Sequence, residues 1–458
     1  MKKLLRSLAA ALRGSEQDYT AISINQAIFL LAVPMILEMV GESLFAIVDA
    51  FFVARAIGVN AAATVSLTES VITLIYSLAI GLSAAATAIV ARRVGEGNRE
   101  GAGETIAQVI VLSLSTAIVV GILGFVFAED ILRLMGASDE VVRTGTMFTR
   151  IMFASSPAIM LLWTLGGALR GAGDASTAMK SLLIANAINI ALDYWLIMHL
   201  QVGVVGAAIA TSIGRTIGVV YQFWALTKGN SKITITTEMF RPQIEIIKNI
   251  ISVAAGGTGQ FLIASASWIF LTRILADFGS EVLAGYNIAI RIIIFTILPA
   301  WGLANAAATL VGQNLGAEKP DQAEKSVWRV GLYNMIFLVL VGVFFFLFAK
   351  PVVGLFIDNE HVVQIGVQCL QIFCVGYLFY GYGMVVGQSL NGAGDTKSPT
   401  IINLICFWLI EIPLAYLLAK QWNWGPEGVF WAIAFSESLL AVMAILVFRR
   451  GRWKTMKV

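Results

Sequence analysis

Three acidic residues, Glu38, Glu42 and Asp49, lie within the first long apolar stretch of the chain. At about 100° per residue, an α-helix places all three carboxyl groups on one face, over about 16 Å of its length. Ionisable groups inside an apolar helix are costly and usually face a cavity where they act on ions or substrates. The spacing therefore predicts a row of carboxylates that could carry protons or Na⁺, with Phe45 between them.

A second polar group recurs at helical spacing further along the chain. Asn189 and Asp193 are four residues apart in one apolar stretch and share a helix face, and Thr211 lies in the next stretch. A hard cation prefers oxygen ligands of the kinds that carboxylate, amide and hydroxyl groups supply. These groups therefore predict a site for H⁺ or Na⁺ at Asn189 and Asp193, to which Thr211 could add one more oxygen, and no other cofactor or metal is expected. The alternative is that Asn189 and Thr211 only bridge two helices.

The composition indicates that membrane helices hold these groups. Of 458 residues, 58% are hydrophobic and only 13% are charged, and the mean hydropathy is +0.83, whereas a soluble domain carries about 25% charged residues. A helix needs about 20 apolar residues to cross a bilayer. Twelve stretches qualify: 25–53, 61–90, 104–127, 144–168, 177–199, 204–227, 247–275, 283–311, 327–348, 362–389, 398–419 and 427–448. The predicted fold class is an all-α polytopic membrane protein with twelve transmembrane helices.

An internal repeat divides these helices into two sets. The tetrapeptide Gly-Ala-Gly-Asp at 171–174 returns at 392–395, 221 positions later. The same offset carries Gly81-Leu82 onto Gly302-Leu303 and Gly95 onto Gly316. Two apolar halves on one plan predict two pseudo-symmetric six-helix bundles, and an even helix number per half gives both the same orientation.

Basic residues in the loops predict the orientation of the chain. With the amino terminus inside, nearly all loop Lys and Arg fall on the inner side. The outer loops hold only Arg55, Arg133, Arg143, Lys350 and Lys420. We expect a cytoplasmic amphipathic segment at 1–24, an N-lobe at 25–227, a cytoplasmic linker at 228–246, a C-lobe at 247–448 and a basic cytoplasmic tail at 449–458.

The two halves differ in their buried polar groups. Asp49 and Asp193 map onto Phe270 and Leu414, so cation chemistry is predicted for the N-lobe alone, with Glu38, Glu42 and Glu69 as a possible proton path. Aromatic and amide groups suit a large, partly apolar or cationic ligand, although interface aromatics and core packing explain the same residue types. The predicted substrate cavity comprises Phe45, Gln260, Trp268, Tyr286, Asn287, Arg291, Tyr377, Tyr380 and Glu411. Arg291 could also pair with a carboxylate of the other lobe.

The motifs together resemble the multidrug and toxic compound extrusion (MATE) antiporters, of the MOP flippase superfamily, over residues 25–448. The resemblance rests on Pro34, the segments 48–53, 81–82, 90–95, 168–174 and 189–193, and Gly58. It implies two six-helix bundles around a V-shaped cleft in a monomer of a prokaryotic inner (plasma) membrane. It further implies alternating-access export of organic, often cationic, compounds against H⁺ or Na⁺. Asp49, Asn189, Asp193 and Thr211 match the cation residues of the DinF-like branch.

Other functions fit the sequence less well. A lipid or lipid-linked-sugar flippase of the same superfamily is the main alternative, which Arg291 keeps open, although such proteins more often have fourteen helices. An enzyme is not expected, because the chain has no HExxH motif and its only histidines, His199 and His361, lie at helix ends. No Lys-Ser/Thr follows the glycine-rich turns at the spacing of a Walker motif, which argues against phosphate loops. The expected partners are membrane lipids and a small organic substrate, without nucleic acid.

Overall fold

The computed structural model describes residues 2–14, 18–56, 59–228, 233 and 235–456. Gly58 and, within the predicted linker at 228–246, residues 229–232 and 234 lie outside these ranges. The described chain is a bundle of long helices, of which eleven are long and apolar enough to cross a membrane. A pair of helices bent by 40°, Asp139–Ala154 and Ser156–Ala172, makes the twelfth span. The prediction of twelve transmembrane helices is confirmed.

The spans are numbered 1 to 12 in chain order. Spans 1 to 6 comprise Ile24–Ala56, Val59–Gly95, Arg99–Val126, the bent pair, Ala175–Asp193 continued by the π-helical Tyr194–His199, and Val204–Lys228. Spans 7 to 10 are Ile244–Ala276, Ser280–Gly316, Pro320–Gly354 and Glu360–Gly392. Span 11 consists of two α-helical segments, Lys397–Asn403 and Ile412–Tyr416, each followed by a π-helical segment, Leu404–Glu411 and Leu417–Gln421 respectively. Span 12 is Pro426–Arg449. A short helix, Lys2–Arg13, precedes span 1.

The packing follows the sequence repeat. Span 1 packs against spans 5 and 8, and its repeat counterpart, span 7, packs against spans 11 and 2. One hydrophobic cluster fills the N-lobe and a second fills the C-lobe, while a third joins spans 1, 8 and 10 where the lobes meet. Equivalent helices thus make equivalent contacts in two bundles.

Glycines allow spans 2 and 8 to cross in close contact. A Cβ atom on Gly95 would overlap the carbonyl oxygen of Gln313, and one on Gly316 would overlap that of Arg92. Because 92 and 313 are themselves repeat equivalents, the same backbone contact is made twice about the pseudo-symmetry axis. Only glycine lets two backbones approach this closely.

These crossings lie at one end of the bundle, which we call the basic end. It is formed by the helix Lys2–Arg13, the loops after spans 2, 4, 6, 8 and 10, and the chain after span 12. Here Thr309 and Gln313 of the C-lobe donate hydrogen bonds to the carbonyl oxygens of Arg170 (3.2 Å) and Gly171 (3.0 Å). Among the described residues, every hydrogen bond between the lobes lies in this half of the molecule, so the lobes are joined at the basic end.

The two Gly-Ala-Gly-Asp segments are tight turns between spans. Gly173 and Gly394 have φ angles of 90° and 89°, a left-handed conformation that glycine adopts without strain. The Asp174 carboxylate accepts a hydrogen bond from the backbone N–H of Thr177 at 3.1 Å. The Asp395 carboxylate accepts one from the backbone N–H of Ser398, also at 3.1 Å. Asp174 is therefore the N-cap of span 5, and Asp395, one residue before the N-cap Thr396, binds the first turn of span 11, as expected for a turn rather than a phosphate loop.

We expect Gly95→Val to prevent closure of the basic end, because the new side chain would collide with the Gln313 carbonyl. The separation of spin labels at the exposed positions Arg99 and Glu318 should then lengthen in a double electron–electron resonance measurement. Gly387→Val is the control, since a Cβ at Gly387 meets nothing within 4 Å. Unchanged label distances in Gly95→Val would show that the crossing does not govern closure.

Candidate cation site and substrate cleft

Asp193 is the most enclosed carboxyl group of the N-lobe. It ends the α-helical part of span 5 and is 0% exposed, and neither carboxylate oxygen has a hydrogen-bond partner among the described residues. One turn earlier, Asn189 donates from its amide to the Thr211 hydroxyl of span 6 at 3.0 Å, which leaves the Asn189 carbonyl oxygen without a partner. Buried polar groups are nearly always satisfied. Three free oxygens on one helix face therefore fit a bound proton or cation.

A cavity of about 290 Å³ lies beside this group among spans 1, 2, 4 and 6. Asp49, Glu69, Tyr76 and Thr211 line it. Asp49 is within electrostatic range of both Asp193 and Glu69. Neither Asp49 nor Glu69 forms a hydrogen bond or ion pair through its carboxylate with any residue that the structure describes. The structure thus brings together the four predicted cation residues and one residue of the predicted proton path.

Glu42 is held in a pair that the sequence interpretation missed. Arg215 of span 6 donates to one Glu42 oxygen at 3.0 Å, and Asn186 donates to the other at 3.0 Å. The Arg215 side chain is 3% exposed, and its guanidinium carbon lies 5.5 Å from the centre of the Phe45 ring. Arg215 follows Thr211 by one helical turn in an apolar stretch, a signal that was available in the sequence.

Glu38 is likewise paired. Arg170 donates to Glu38 at 2.6 Å and to the Ser83 hydroxyl at 3.1 Å, and the charged side chains are 7% and 6% exposed. Arg170 follows the predicted fourth stretch, 144–168, and so counted among the inner-loop cations, but in the structure it belongs to the last turn of span 4 with its side chain turned inward. The first-helix acids are consequently not an open row of free carboxylates, because arginines neutralise two of the three.

The remaining charges are unbalanced. Arg170 and Arg215 compensate Glu38 and Glu42, whereas Asp49, Glu69 and Asp193 form no ion pair with any residue that the structure describes. Uncompensated charge is costly away from water. A region with three such carboxyl groups therefore attracts protons or small cations.

A smaller cavity of about 90 Å³ lies between the lobes, above the closed basic end. Met39, Trp163 and Trp301 give it apolar and aromatic walls, and Glu42 brings one carboxylate. Amide side chains complete the lining at Asn305, Gln388 and Asn391. Apolar and aromatic surface with a few polar groups is typical of an organic-ligand site.

Most of the predicted C-lobe cavity residues lie elsewhere. Tyr286 is stacked on Phe430 at 6.1 Å between ring centres, and Tyr377 and Tyr380 pack against each other in the C-lobe core. Their exposed fractions are 2%, 0% and 5%. The prediction that Tyr286, Tyr377 and Tyr380 line the substrate cavity is wrong, because the C-lobe core buries their rings.

The other predicted cavity residues are also outside the interlobe cavity. Glu411 is 1% exposed and belongs to the buried side of span 11. Gln260 is bound to Asn391 at 3.0 Å, beside the cavity but not in its lining. Asn287 and Arg291 are exposed, Trp268 is partly exposed, and Arg291 forms no ion pair with the described chain. The predicted pairing of Arg291 across the lobes is therefore not found.

Comparisons with known proteins match almost the whole chain. The MatE family model matches residues 34–195 and 258–417. The probable multidrug resistance protein YoeA of Bacillus subtilis is 26% identical over 436 residues, covering 93% of this chain and 94% of that protein. The multidrug export protein MepA of Staphylococcus aureus is 22% identical over 425 residues, covering 92% and 93%.

Solved structures agree with this result. An outward-facing multidrug resistance MATE family transporter of the MOP superfamily has a TM-score of 0.90 at 26% identity, covering 96% of this chain and 98% of that one. A MOP superfamily transporter from Pyrococcus furiosus has the same TM-score, identity and coverage.

Proposed function

The chain belongs to the MatE family of multidrug transporters, and we propose that it is a cation-coupled antiporter that exports organic, cationic or amphipathic compounds by alternating access. It is a multi-pass membrane transporter and not an enzyme. The observation that carries the proposal is Asp193, a fully buried carboxyl group without a partner, beside a cavity that holds two more uncompensated acids. Such a group requires a proton or a cation for its burial.

The arrangement links ion binding to the cleft through span 1. Asp49 lines the 290 Å³ cavity of the N-lobe, which we call the cation cavity. Glu42, two turns away on the same helix, lines the 90 Å³ cavity between the lobes, the interlobe cavity. A change of charge at Asp49 acts on the helix that also packs against span 8 of the other lobe. Loading the N-lobe with a cation would therefore alter the position of span 1 and reshape the cleft.

For the orientation, we propose that the basic end faces the cytoplasm of a prokaryotic inner membrane, with both termini inside. The clustering of basic residues at this end supports the proposal. With the lobes joined at the basic end, the conformation corresponds to an outward-facing state, in keeping with the similarity to an outward-facing relative. We further propose a monomer, and membership of the DinF-like branch because Asp49, Asn189, Asp193 and Thr211 match the cation residues of that branch.

A lipid or lipid-linked-sugar flippase is less consistent with the molecule. An anionic lipid headgroup requires cationic side chains in the cavity. The arginine that lines the interlobe cavity, Arg170, is already bound to Glu38, and Arg291 lies outside that cavity. The faces of the two tryptophans that line this cavity, Trp163 and Trp301, suit an organic cation better.

The test is export from proteoliposomes that are loaded with a fluorescent organic cation. We expect an imposed pH or Na⁺ gradient to drive dye movement in the wild-type protein, and Asp49→Asn to remove the gradient-driven part, because it removes a titratable group. Protein-free liposomes give the leak rate. Dye movement at the leak rate under both gradients would contradict the proposal.

A further inference from the structure

Arg215 is an incompletely satisfied cation in the membrane-spanning part of the N-lobe. Its side chain is 3% exposed, yet it makes one hydrogen bond, from Nη2 to Glu42. Its Nε and Nη1 atoms are buried and have no hydrogen-bond partner in the part of the chain that the structure describes. A guanidinium carries five N–H donors and is expensive to bury without acceptors. The unused donors therefore indicate that Arg215 has a second acceptor in another state of the protein.

The cation cavity contains that acceptor. Arg215 and Asp49 line the same cavity, and Asp49 is within electrostatic range of the guanidinium. The other charged or titratable groups around it are Glu42 on span 1, and Glu69 and Tyr76 on span 2. Among these groups, the Asp49 carboxylate forms no hydrogen bond or ion pair with any described residue. It also lies within electrostatic range of Arg215. The fixed cation thus occupies the neighbourhood where a Na⁺ ion at Asp49 would lie.

We propose that Arg215 determines ion specificity by excluding Na⁺ from the Asp49 part of the site, so that the proton is the coupling ion. The inference rests on the proposed cation-coupled antiport and adds to it the identity of the ion. A guanidinium cannot lose its charge, and a fixed positive charge beside the Asp49 carboxylate repels a second cation, which should lower Na⁺ affinity by about tenfold or more. A proton forms a covalent O–H bond and needs a single oxygen, so the same neighbour does not exclude it.

The geometry of the acids supports this choice. In the part of the chain that the structure describes, no three Asp, Glu, His or Cys side chains converge as a metal site. Asn189 is bound to Thr211 through its amide, which leaves Asp193 with one neighbouring amide oxygen. A Na⁺ ion needs about six oxygens in its shell, whereas a protonated carboxyl group needs none.

Binding of ²²Na⁺ to purified protein tests the proposal without relying on transport. We compare the wild type with Arg215→Lys, which keeps the charge, and with the double variant Glu42→Gln/Arg215→Met, which removes the pair and leaves no unpaired Glu42. The wild type and Arg215→Lys should show no saturable Na⁺ binding that depends on Asp49. The double variant should gain it, with a Kd lower by about tenfold or more, and Asp49→Asn should abolish the gain.

Matched controls separate the effect of Arg215 from a general change in charge pairing. Glu38→Gln/Arg170→Met removes the other buried pair of span 1 and should gain no Na⁺ binding. Saturable, Asp49-dependent Na⁺ binding by the wild type would overturn the inference while leaving cation-coupled antiport intact. Failure of the folded double variant to gain Na⁺ binding would also overturn it. If neither gradient moves dye with the wild type, the proposed function itself fails, whatever the binding result.

Discussion

Asp193→Asn is expected to abolish gradient-driven efflux while leaving the protein as stable as the wild type, or more stable. The substitution keeps the shape of the side chain and removes its capacity to bind a proton or balance a cation. Since both carboxylate oxygens of Asp193 are buried without partners, no native hydrogen bond is lost. Efflux under a gradient should fall to the leak rate, and the melting temperature in detergent should not decrease.

Asp130→Asn is the matched control, because Asp130 is an exposed carboxylate on the short helix Ala128–Leu134, away from the N-lobe cavity. It should transport as the wild type does. Coupled efflux by a folded Asp193→Asn protein at the wild-type rate would exclude Asp193 from the cation path. A large fall in melting temperature would instead indicate a structural role.

Arg170→Met is expected to destabilise the protein severely. Arg170 links spans 1, 2 and 4 through Glu38 and Ser83, and its carbonyl oxygen accepts a hydrogen bond from Thr309 of the other lobe. Removing one partner of a buried ion pair leaves the other charge uncompensated, at a cost of about 3–5 kcal/mol. The melting temperature in detergent and the monodisperse fraction in size-exclusion chromatography should both drop.

The double variant Glu38→Gln/Arg170→Met should recover most of that loss, since the lone buried carboxylate is no longer present. Arg133→Met breaks an exposed contact with Glu129 instead and should leave the melting temperature nearly unchanged, because solvent-exposed pairs contribute little. If Arg170→Met and Arg133→Met melt alike, the buried pair is not a stabilising link. If the double variant melts no higher than Arg170→Met, the unpaired Glu38 is not the cause of the loss.

The sequence was sufficient for the architecture because long apolar helices and a repeat with one offset leave few alternatives. The offset even identifies the crossing of spans 2 and 8, where Gly95 and Gly316 are equivalent. Helix periodicity in the sequence also indicated that Asn189 and Asp193 share a face, and the motif match indicated that Thr211 lies near them. It did not indicate the π-helical turns that follow Asp193, since an altered hydrogen-bond register has no simple residue signature.

The pairing of charges was harder to predict. Arg170 and Arg215 were missed as partners of Glu38 and Glu42, because helix periodicity gives the face of a residue but not its neighbour on another helix. The positions of the C-lobe tyrosines were mispredicted for a different reason. Tyr286, Tyr377 and Tyr380 have the right chemistry for a ligand cavity, but a ring packed in a core has the same residue type. Only tertiary packing distinguishes the two positions.

In the proposed mechanism, outward movement of an organic substrate is coupled to inward movement of a cation through the N-lobe acids Asp49, Glu69 and Asp193. The most direct measurement reverses the coupling: proteoliposomes receive a substrate gradient but no ion gradient, and internal pH and Na⁺ are recorded with trapped dyes. Substrate moving down its gradient should drive the cation in the opposite direction, and Asp193→Asn should remove this ion movement. Downhill substrate movement with no ion response in the wild type would contradict it.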